Sequence, residues 1–332
     1  MKINIVLNYI NIDKYYKIYA FNEKTIDFRR QKKEATRCTI SFAAVELENY
    51  LLKLIKDLKI TISDKIKNDS FNIELIAKSD ISIDESYTIE PTKMGIKIIG
   101  ENRVGVLYGA YEFLKMQGIM WFEPGEIGEF VPQDKIALII PKEKMVFSTK
   151  ADICRGFSLD GYLNENEELE IWMARNRLNT FFYRPFTCKL MKKLGFKLND
   201  GGHIFEAILD PNNITENGKT FWEEHNDWYG VPAKGNKTKE EAEFTQFCVS
   251  QNDLIEYLAN KLINKLNNEW YESDVINVWG FDTWESVCSC QDCQKLGNGT
   301  DQNLYMFSKF REAIDKAISI SFTSPLFCHF WN

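Results

Sequence analysis

The sequence predicts an α/β protein in which a small α/β domain, residues 1–145, precedes an incomplete TIM-type β/α barrel at residues 150–332. Two observations support this prediction. Short apolar runs of β type alternate with amphipathic helical segments, an order typical of parallel sheets with crossover helices. After residue 150 there are four such β–α pairs, half of the eight in a complete barrel.

The first domain is predicted from apolar periodicity and from turn residues. Its expected elements are a strand at 3–10, a helix at 39–58, a strand at 71–77, a hairpin at 87–99 and a helix at 103–118. An aromatic–acid–Pro–Gly turn follows at 121–126, and we expect Trp121 and Phe122 to be buried there. The polar stretch at 132–144 is interpreted as the linker.

The second domain is predicted from alternating strands and helices. The strands are expected at 153–159, 180–183, 196–198 and 275–279, and the helices at 165–175, 188–194, 252–266 and 303–318. An apolar, aromatic tail at 321–332 begins where a fifth strand is expected. We therefore interpret the chain as a fragment of a longer protein; the alternative is a complete small domain with an open sheet.

Composition argues against several classes of protein. The formal net charge is −7 and no stripe of Lys and Arg is interleaved with aromatic residues, so we expect no nucleic-acid partner. No apolar stretch approaches the roughly 18–20 residues that a membrane span requires, and Asn and Asp interrupt the N-terminal apolar run. We expect a soluble, cytoplasmic protein. Its 8 cysteines are then better interpreted as thiols or metal ligands than as disulfides.

Several segments together resemble a known family. The helix and turn at 103–132 resemble the small α/β domain that precedes the barrel in bacterial α-glucuronidases and hexosaminidase-type glycoside hydrolases. An uncharacterised bacterial family joins such a domain to a glycoside-hydrolase-like barrel half, and this chain has segments in that family's order: GGHIF at 201–205, EHNDWY at 224–229, FCVS at 247–250 and C-x-C-x-x-C at 288–293. The resemblance covers residues 70–315 and implies carbohydrate processing.

The resemblance places a catalytic acid just after the fourth barrel strand, where Asp282 and Glu285 lie. Glycoside hydrolysis generally needs two carboxyl groups across the scissile bond, one protonated and one ionised. The flanking Trp279 and Trp284 can raise the pKa of a carboxyl group by desolvation and can stack on a sugar ring. The alternative is that both acids are solvated loop residues.

Three further residues are candidates for binding the sugar. Arg155 and Asp160 match an Arg-Gly-x-x-x-Asp strand of hexosaminidase-type barrels, in which the Arg grips sugar hydroxyls with its fork of donors. The alternative is an ion pair between these two residues. His203 follows two glycines that let a ligand approach the backbone, although a histidine that satisfies a loop carbonyl is equally consistent. Asn179 is interpreted as a structural turn residue.

The cysteine motif predicts a metal site. Cys288, Cys290 and Cys293 supply three thiolates from one loop, one fewer than a tetrahedral zinc site requires. Cys248 is the candidate for the fourth ligand, with His203 or His225 as the next choices. The zinc would be structural, because all-thiolate sites are typically closed. The alternative is a set of reduced thiols without metal.

The leading hypothesis is a glycoside hydrolase, or a truncated form of one, that acts on an acidic or acetamido sugar of an oligo- or polysaccharide and requires no cofactor. In α-glucuronidases the general-base carboxylates come from later strands, so this chain alone is expected to be weak or inactive as an enzyme. Two alternatives remain open at this point: a non-catalytic carbohydrate-binding protein and a zinc-stabilised scaffold without a sugar role.

Overall fold

The computed structural model describes residues 1–8, 15–133, 135–148, 154–156, 166–283, 286–318 and 327–329. By their internal contacts the residues divide into two compact units, Met1–Leu198 and Asn199–Asn332. None of the described helices combines the length and the apolar character that a bilayer span requires.

The first unit combines a six-stranded sheet with helices. In chain order its elements are β1 (Lys2–Leu7), α1 (Tyr16–Ala20), α2 (Lys32–Leu54), β2 (Lys59–Ser63), β3 (Phe71–Ala77), β4 (Tyr87–Thr92), β5 (Gly95–Gly100), α3 (Arg103–Met116), β6 (Met120–Trp121), β7 (Glu129–Phe130), β8 (Met145–Phe147), α4 (Glu167–Arg175), β9 (Thr180–Phe182) and α5 (Cys188–Leu194). The sheet order is β2-β1-β3-β5-β4-β8, with β1, β2, β3 and β5 parallel and β4 antiparallel to its neighbours.

Helices α2 and α3 pack together and form the core of the first unit with the sheet. The chain enters α3 through Asn102, whose side-chain oxygen accepts hydrogen bonds from the backbone amides of Val104 and Gly105 at 2.8 and 2.9 Å. An N-cap of this kind typically stabilises a helix by about 1 kcal/mol. The hairpin and the helix expected from the sequence are both present.

The prediction that both aromatic residues of the turn are buried is correct for Trp121 and wrong for Phe122. Trp121 is 4% exposed, and its indole nitrogen donates to the Tyr50 hydroxyl at 2.9 Å. Phe122 is 68% exposed, because successive side chains of an extended segment point to opposite faces, and Met120 on the other side of Trp121 is likewise 47% exposed.

The contacts extend the first unit beyond the linker that the sequence suggests. Strand β8, at Met145–Phe147, is the last strand of the six-stranded sheet, close to the predicted boundary. Helices α4 and α5 nevertheless belong to the same unit, since α4 contacts α3 and α5 contacts α2. The domain boundary at residues 145–150 remains a prediction.

The second unit is built on parallel strands joined through helices. Its elements, with β10 starting in the last residues of the first unit, are β10 (Lys197–Gly202), α6 (Ile204–Ile208), α7 (Phe221–His225), α8 (Asn252–Asn267), β11 (Val275–Val278), α9 (Gln291–Leu296), α10 (Gly299–Ile318) and β12 (Phe327–His329). Strand β11 pairs in parallel with β10 and with β12, and α8 packs on α10. The predicted α/β class is confirmed.

Candidate functional site

A cavity of about 700 Å³ opens in the second unit at the carboxyl ends of β10 and β11. These ends lie side by side because Gly202 pairs with Val278 in the parallel register. The next residue after each strand, His203 and Trp279, therefore lines the same cavity. The first turns of α10 form another part of the wall.

His203 is held by the loop that follows β11. Its Nδ1 lies 2.8 Å from the Gly280 carbonyl oxygen, and its ring meets the edge of Trp279 with centroids 4.9 Å apart. Since a carbonyl only accepts, Nδ1 is the donor in this hydrogen bond. Gly201 allows β10 to lie close to β11: it has φ +102°, and a Cβ there would overlap the Asn277 carbonyl oxygen.

Trp279 carries a buried hydrogen-bond donor, the indole Nε1–H. Its backbone amide donates to the Gly202 carbonyl at 3.0 Å, but its indole Nε1 is buried and meets no acceptor among the described residues. An unsatisfied buried donor costs about 1–3 kcal/mol.

Asp282 also lines the cavity, with its side chain exposed. Its backbone amide donates to Glu206 Oε1 at 2.6 Å, which fixes the loop against α6. The other predicted acid, Glu285, and its neighbour Trp284 lie outside the described residues, as does Asp160.

Arg155 lies in the first unit, in a largely buried ion pair with Glu85. Its Nη2 is 2.6 Å from Glu85 Oε2, and its Nε donates to the Arg177 carbonyl at 2.7 Å. Asn179, expected as a turn residue, donates to both oxygens of Glu85 at 2.8 and 3.1 Å. The sugar-binding role of Arg155 remains a prediction; the partner that the structure gives it is Glu85, which sequence reasoning missed.

The four cysteines singled out by the sequence lie together in the second unit. The sulfur atoms of Cys248, Cys288, Cys290 and Cys293 are all within 4.8 Å of one another. The Cys248 sulfur is 3.7 Å from the sulfurs of both Cys290 and Cys293. A tetrahedral ion with Zn–S bonds of about 2.3 Å separates its sulfurs by about 3.8 Å. The cluster therefore has dimensions that fit a metal ion.

The surroundings of the cluster suit thiolates. The backbone amide of Val231 donates to the Cys288 sulfur and that of Cys293 to the Cys290 sulfur, both at 3.4 Å. Hydrogen bonds from Cys248 and Cys293 lower the pKa of the Cys288 thiol, whereas the contact with Cys248 raises the pKa of Cys293. A divalent cation offsets the repulsion that prevents the four sulfurs from ionising together.

The two histidines considered as alternative ligands lie elsewhere. His203 is engaged with the Gly280 carbonyl, and the His225 ring stacks on Trp228 with centroids 3.8 Å apart. Sequence reasoning missed Ser250, whose hydroxyl lies 3.2 Å from the Cys248 sulfur and 3.4 Å from that of Cys293. Its position two residues after Cys248 was the available signal.

Comparison with protein-family models gave no match for this chain. A search of curated proteins gave none either. Among solved structures, one similar chain is a GH138 enzyme targeting pectin rhamnogalacturonan II, with 10% identity over 98% of this chain and 43% of the enzyme, at a TM-score of 0.49.

Two further solved structures are a GH20 chitobiase from Flavobacterium johnsoniae and a GH115 4-O-methyl-α-glucuronidase with specificity for decorated arabinogalactans. The first is 12% identical over 84% of this chain and 46% of its own, at a TM-score of 0.47. The second is 13% identical over 84% and 38%, at a TM-score of 0.40. These structural neighbours are glycoside hydrolases, and this chain spans less than half the length of each of the three.

Proposed function

We propose that this chain is carbohydrate-active, as a glycoside hydrolase or a truncated form of one, and that it binds an oligo- or polysaccharide in the cavity beside β10 and β11. The observation that carries the proposal is the convergence of Trp279, His203 and Asp282 at the carboxyl ends of adjacent parallel strands. In parallel β/α proteins, ligands bind at this end of the sheet.

The chemistry of the cavity suits a sugar. Its volume, about 700 Å³, lies within the range of roughly 300–1,000 Å³ that is usual for small-molecule sites. His203 and Asp282 both line the cavity, and their polar side-chain atoms can pair with hydroxyl groups. An aromatic wall beside such groups matches the alternating apolar and polar faces of a pyranose ring.

Hydrolysis is proposed to use Asp282 or Glu285 as the general acid. In this proposal β10, β11 and β12 are part of a TIM-type barrel, and the opposing carboxylate comes from later strands of the full-length protein. Asp282 lies four residues after the end of β11 and lines the cavity, a position from which a carboxyl group can reach a glycosidic oxygen.

We expect Asp282→Asn or Glu285→Gln, in the full-length protein, to lower turnover of an unactivated glycoside by about 10²–10⁴-fold, the usual contribution of a general acid. Turnover of an aryl glycoside with a good leaving group should fall much less, because that bond hardly needs protonation. Steady-state kinetics on the two substrates measure the difference, with Asp315→Asn on the exposed face of α10 as the matched control. Full activity of both variants on the unactivated substrate would place the acid elsewhere.

One observation favours the second candidate function, a non-catalytic carbohydrate-binding protein. Among the described residues that line the cavity, Asp282 is the one carboxylate, whereas hydrolysis needs two. A full-length protein that binds a glycan but never hydrolyses it would establish this alternative.

We further propose that the four-cysteine cluster holds one structural zinc ion. Four thiolates at tetrahedral spacing form a closed coordination shell, which leaves no position for water or substrate. Soft thiolate ligands select zinc over the hard cations calcium and magnesium.

A further inference from the structure

We infer that the four-cysteine centre holds the wall of the cavity in place, so that metal occupancy controls ligand binding in the cavity. Gln246 is the positioning residue that connects the cysteine centre to the cavity wall. The inference rests on the proposed function for the identity of the ligand. The coupling itself rests on contacts within the second unit.

Gln246 is hydrogen-bonded to the loop that follows β11 through both atoms of its side-chain amide. Its Nε2 donates to the Phe281 carbonyl at 2.6 Å and to the Thr283 hydroxyl at 2.9 Å. Its Oε1 accepts from the Phe281 amide at 2.9 Å. A Cβ at residue 280 would collide with the Gln246 side-chain amide, so the glycine at this position leaves room for that amide. These three bonds fix the backbone on both sides of Asp282.

The backbone around Gln246 holds the far end of the same loop. The Gln246 amide donates to the Ser286 carbonyl at 2.8 Å, and the Thr245 and Ser286 hydroxyls are 3.2 Å apart. Two residues further along each segment come Cys248 and Cys288. A metal ion bound by the sulfurs of Cys248 and Cys288 would therefore link the same two segments that the hydrogen bonds of Gln246 join.

The four-cysteine centre is also linked to the part of the cavity wall that α10 forms. Cys290 and Cys293 lie at the start of α9, and Gln302 of α10 donates to the Cys288 carbonyl at 3.3 Å. The first turn of α10, with Gly299 and Thr300, lines the cavity. Two parts of the cavity wall, the loop after β11 and the first turn of α10, are therefore linked to the segment that contains Cys288.

Without a cation, the four sulfurs, which lie within 4.8 Å of one another, no longer share an ion that joins the segments carrying them. Metal binding in such sites is coupled to local folding. The exchange rates of the Gln246 and Phe281 amide protons report on this linkage, because each amide donates a hydrogen bond from one of the two segments to the other.

The test compares the wild-type chain with Cys248→Ser, which removes a ligand, and Gln246→Ala, which keeps all four thiols. Cys154→Ser is the control, because Cys154 is an exposed cysteine outside the cluster. Zinc per chain is measured by elemental analysis, and amide exchange at residues 246 and 281 by NMR. Binding of the methyl glycosides of N-acetylglucosamine and glucuronic acid is measured by calorimetry.

We expect Cys248→Ser to lose its zinc, to exchange both amides at least about tenfold faster and to bind sugar at least about tenfold more weakly, since local opening sets both quantities. Gln246→Ala should keep its zinc, exchange the Phe281 amide faster and bind sugar more weakly. Cys154→Ser should match the wild type throughout.

The coupling is overturned if zinc is lost while exchange at both amides is unchanged, or if Cys248→Ser retains its zinc. The positioning role of Gln246 is overturned if Gln246→Ala leaves exchange and affinity unchanged. Should Cys248→Ser not fold, chelation of the wild-type chain gives the same readout, with the β3 amides of the first unit as reference. A zinc-loaded chain that binds neither sugar contradicts the proposed ligand class, while exchange still decides the coupling.

Discussion

We expect Cys293→Ser to abolish zinc binding and to lower the free energy of unfolding of the second unit on the order of 5 kcal/mol. The Cys293 sulfur is fully buried, 3.7 Å from that of Cys248, and serine offers a harder, weaker ligand. Structural zinc contributes roughly 10–16 kcal/mol in zinc-finger peptides, and the effect should be smaller here because the unit has its own apolar core.

Elemental analysis of protein purified without chelator should find one zinc per wild-type chain and less than about a tenth of that in the variant. Denaturant unfolding, followed by hydrogen exchange in each unit, measures the stability loss. Cys38→Ser is the matched control, because Cys38 is fully buried in the first unit and outside the cluster. Wild-type protein without zinc, or a variant that retains it, would leave ordinary thiols as the explanation.

The second large effect is expected at Glu85 in the first unit. Glu85→Ala should lower the free energy of unfolding by about 3–5 kcal/mol, the usual cost of removing one partner of a buried ion pair. The side chain of Glu85 is 6% exposed and pairs with Arg155 at 2.6 Å and with Lys197 at 3.6 Å. The variant leaves these cations without that carboxylate in a low-dielectric environment.

The exposed pair of Glu101 with Lys78 provides the control for this variant. Glu101→Ala should cost less than about 1 kcal/mol, as surface ion pairs generally do. Equilibrium denaturation of the three proteins gives the comparison. If Glu85→Ala costs no more than Glu101→Ala, the ion pair with Arg155 does not stabilise the first unit, and Arg155 becomes available for the sugar role that the sequence suggested.

Elements with clear local signals were predicted closely. Helix α5 has the predicted bounds, 188–194, because Gly195 adopts φ +94° directly after it and ends the helix. Helix α2 was predicted at 39–58 but spans Lys32–Leu54. Its first turns are polar and carry no apolar stripe, and Asp57, at φ +55°, lies in a conformation that a helix cannot contain.

The candidate site could be predicted only where sequence spacing is informative. C-x-C-x-x-C identified three of the clustered thiols, and a cysteine beside a helix start supplied the fourth. Glu85 and Gln246 were missed because their partners lie 70 and 35 residues away along the chain. No local sequence pattern distinguishes a buried glutamate, or a glutamine that joins two segments by hydrogen bonds, from a solvated side chain of the same type.

Calorimetric titration of the zinc-loaded protein with defined oligosaccharides tests the central claim, that the cavity beside β10 and β11 binds a sugar. The account predicts saturable binding of at least one acetamido or uronic-acid oligosaccharide. Trp279→Ala should weaken it by up to about tenfold, consistent with the roughly 0.5–1.5 kcal/mol of an aromatic contact. Absence of binding to any glycan, or binding that Trp279→Ala leaves unchanged, would contradict it.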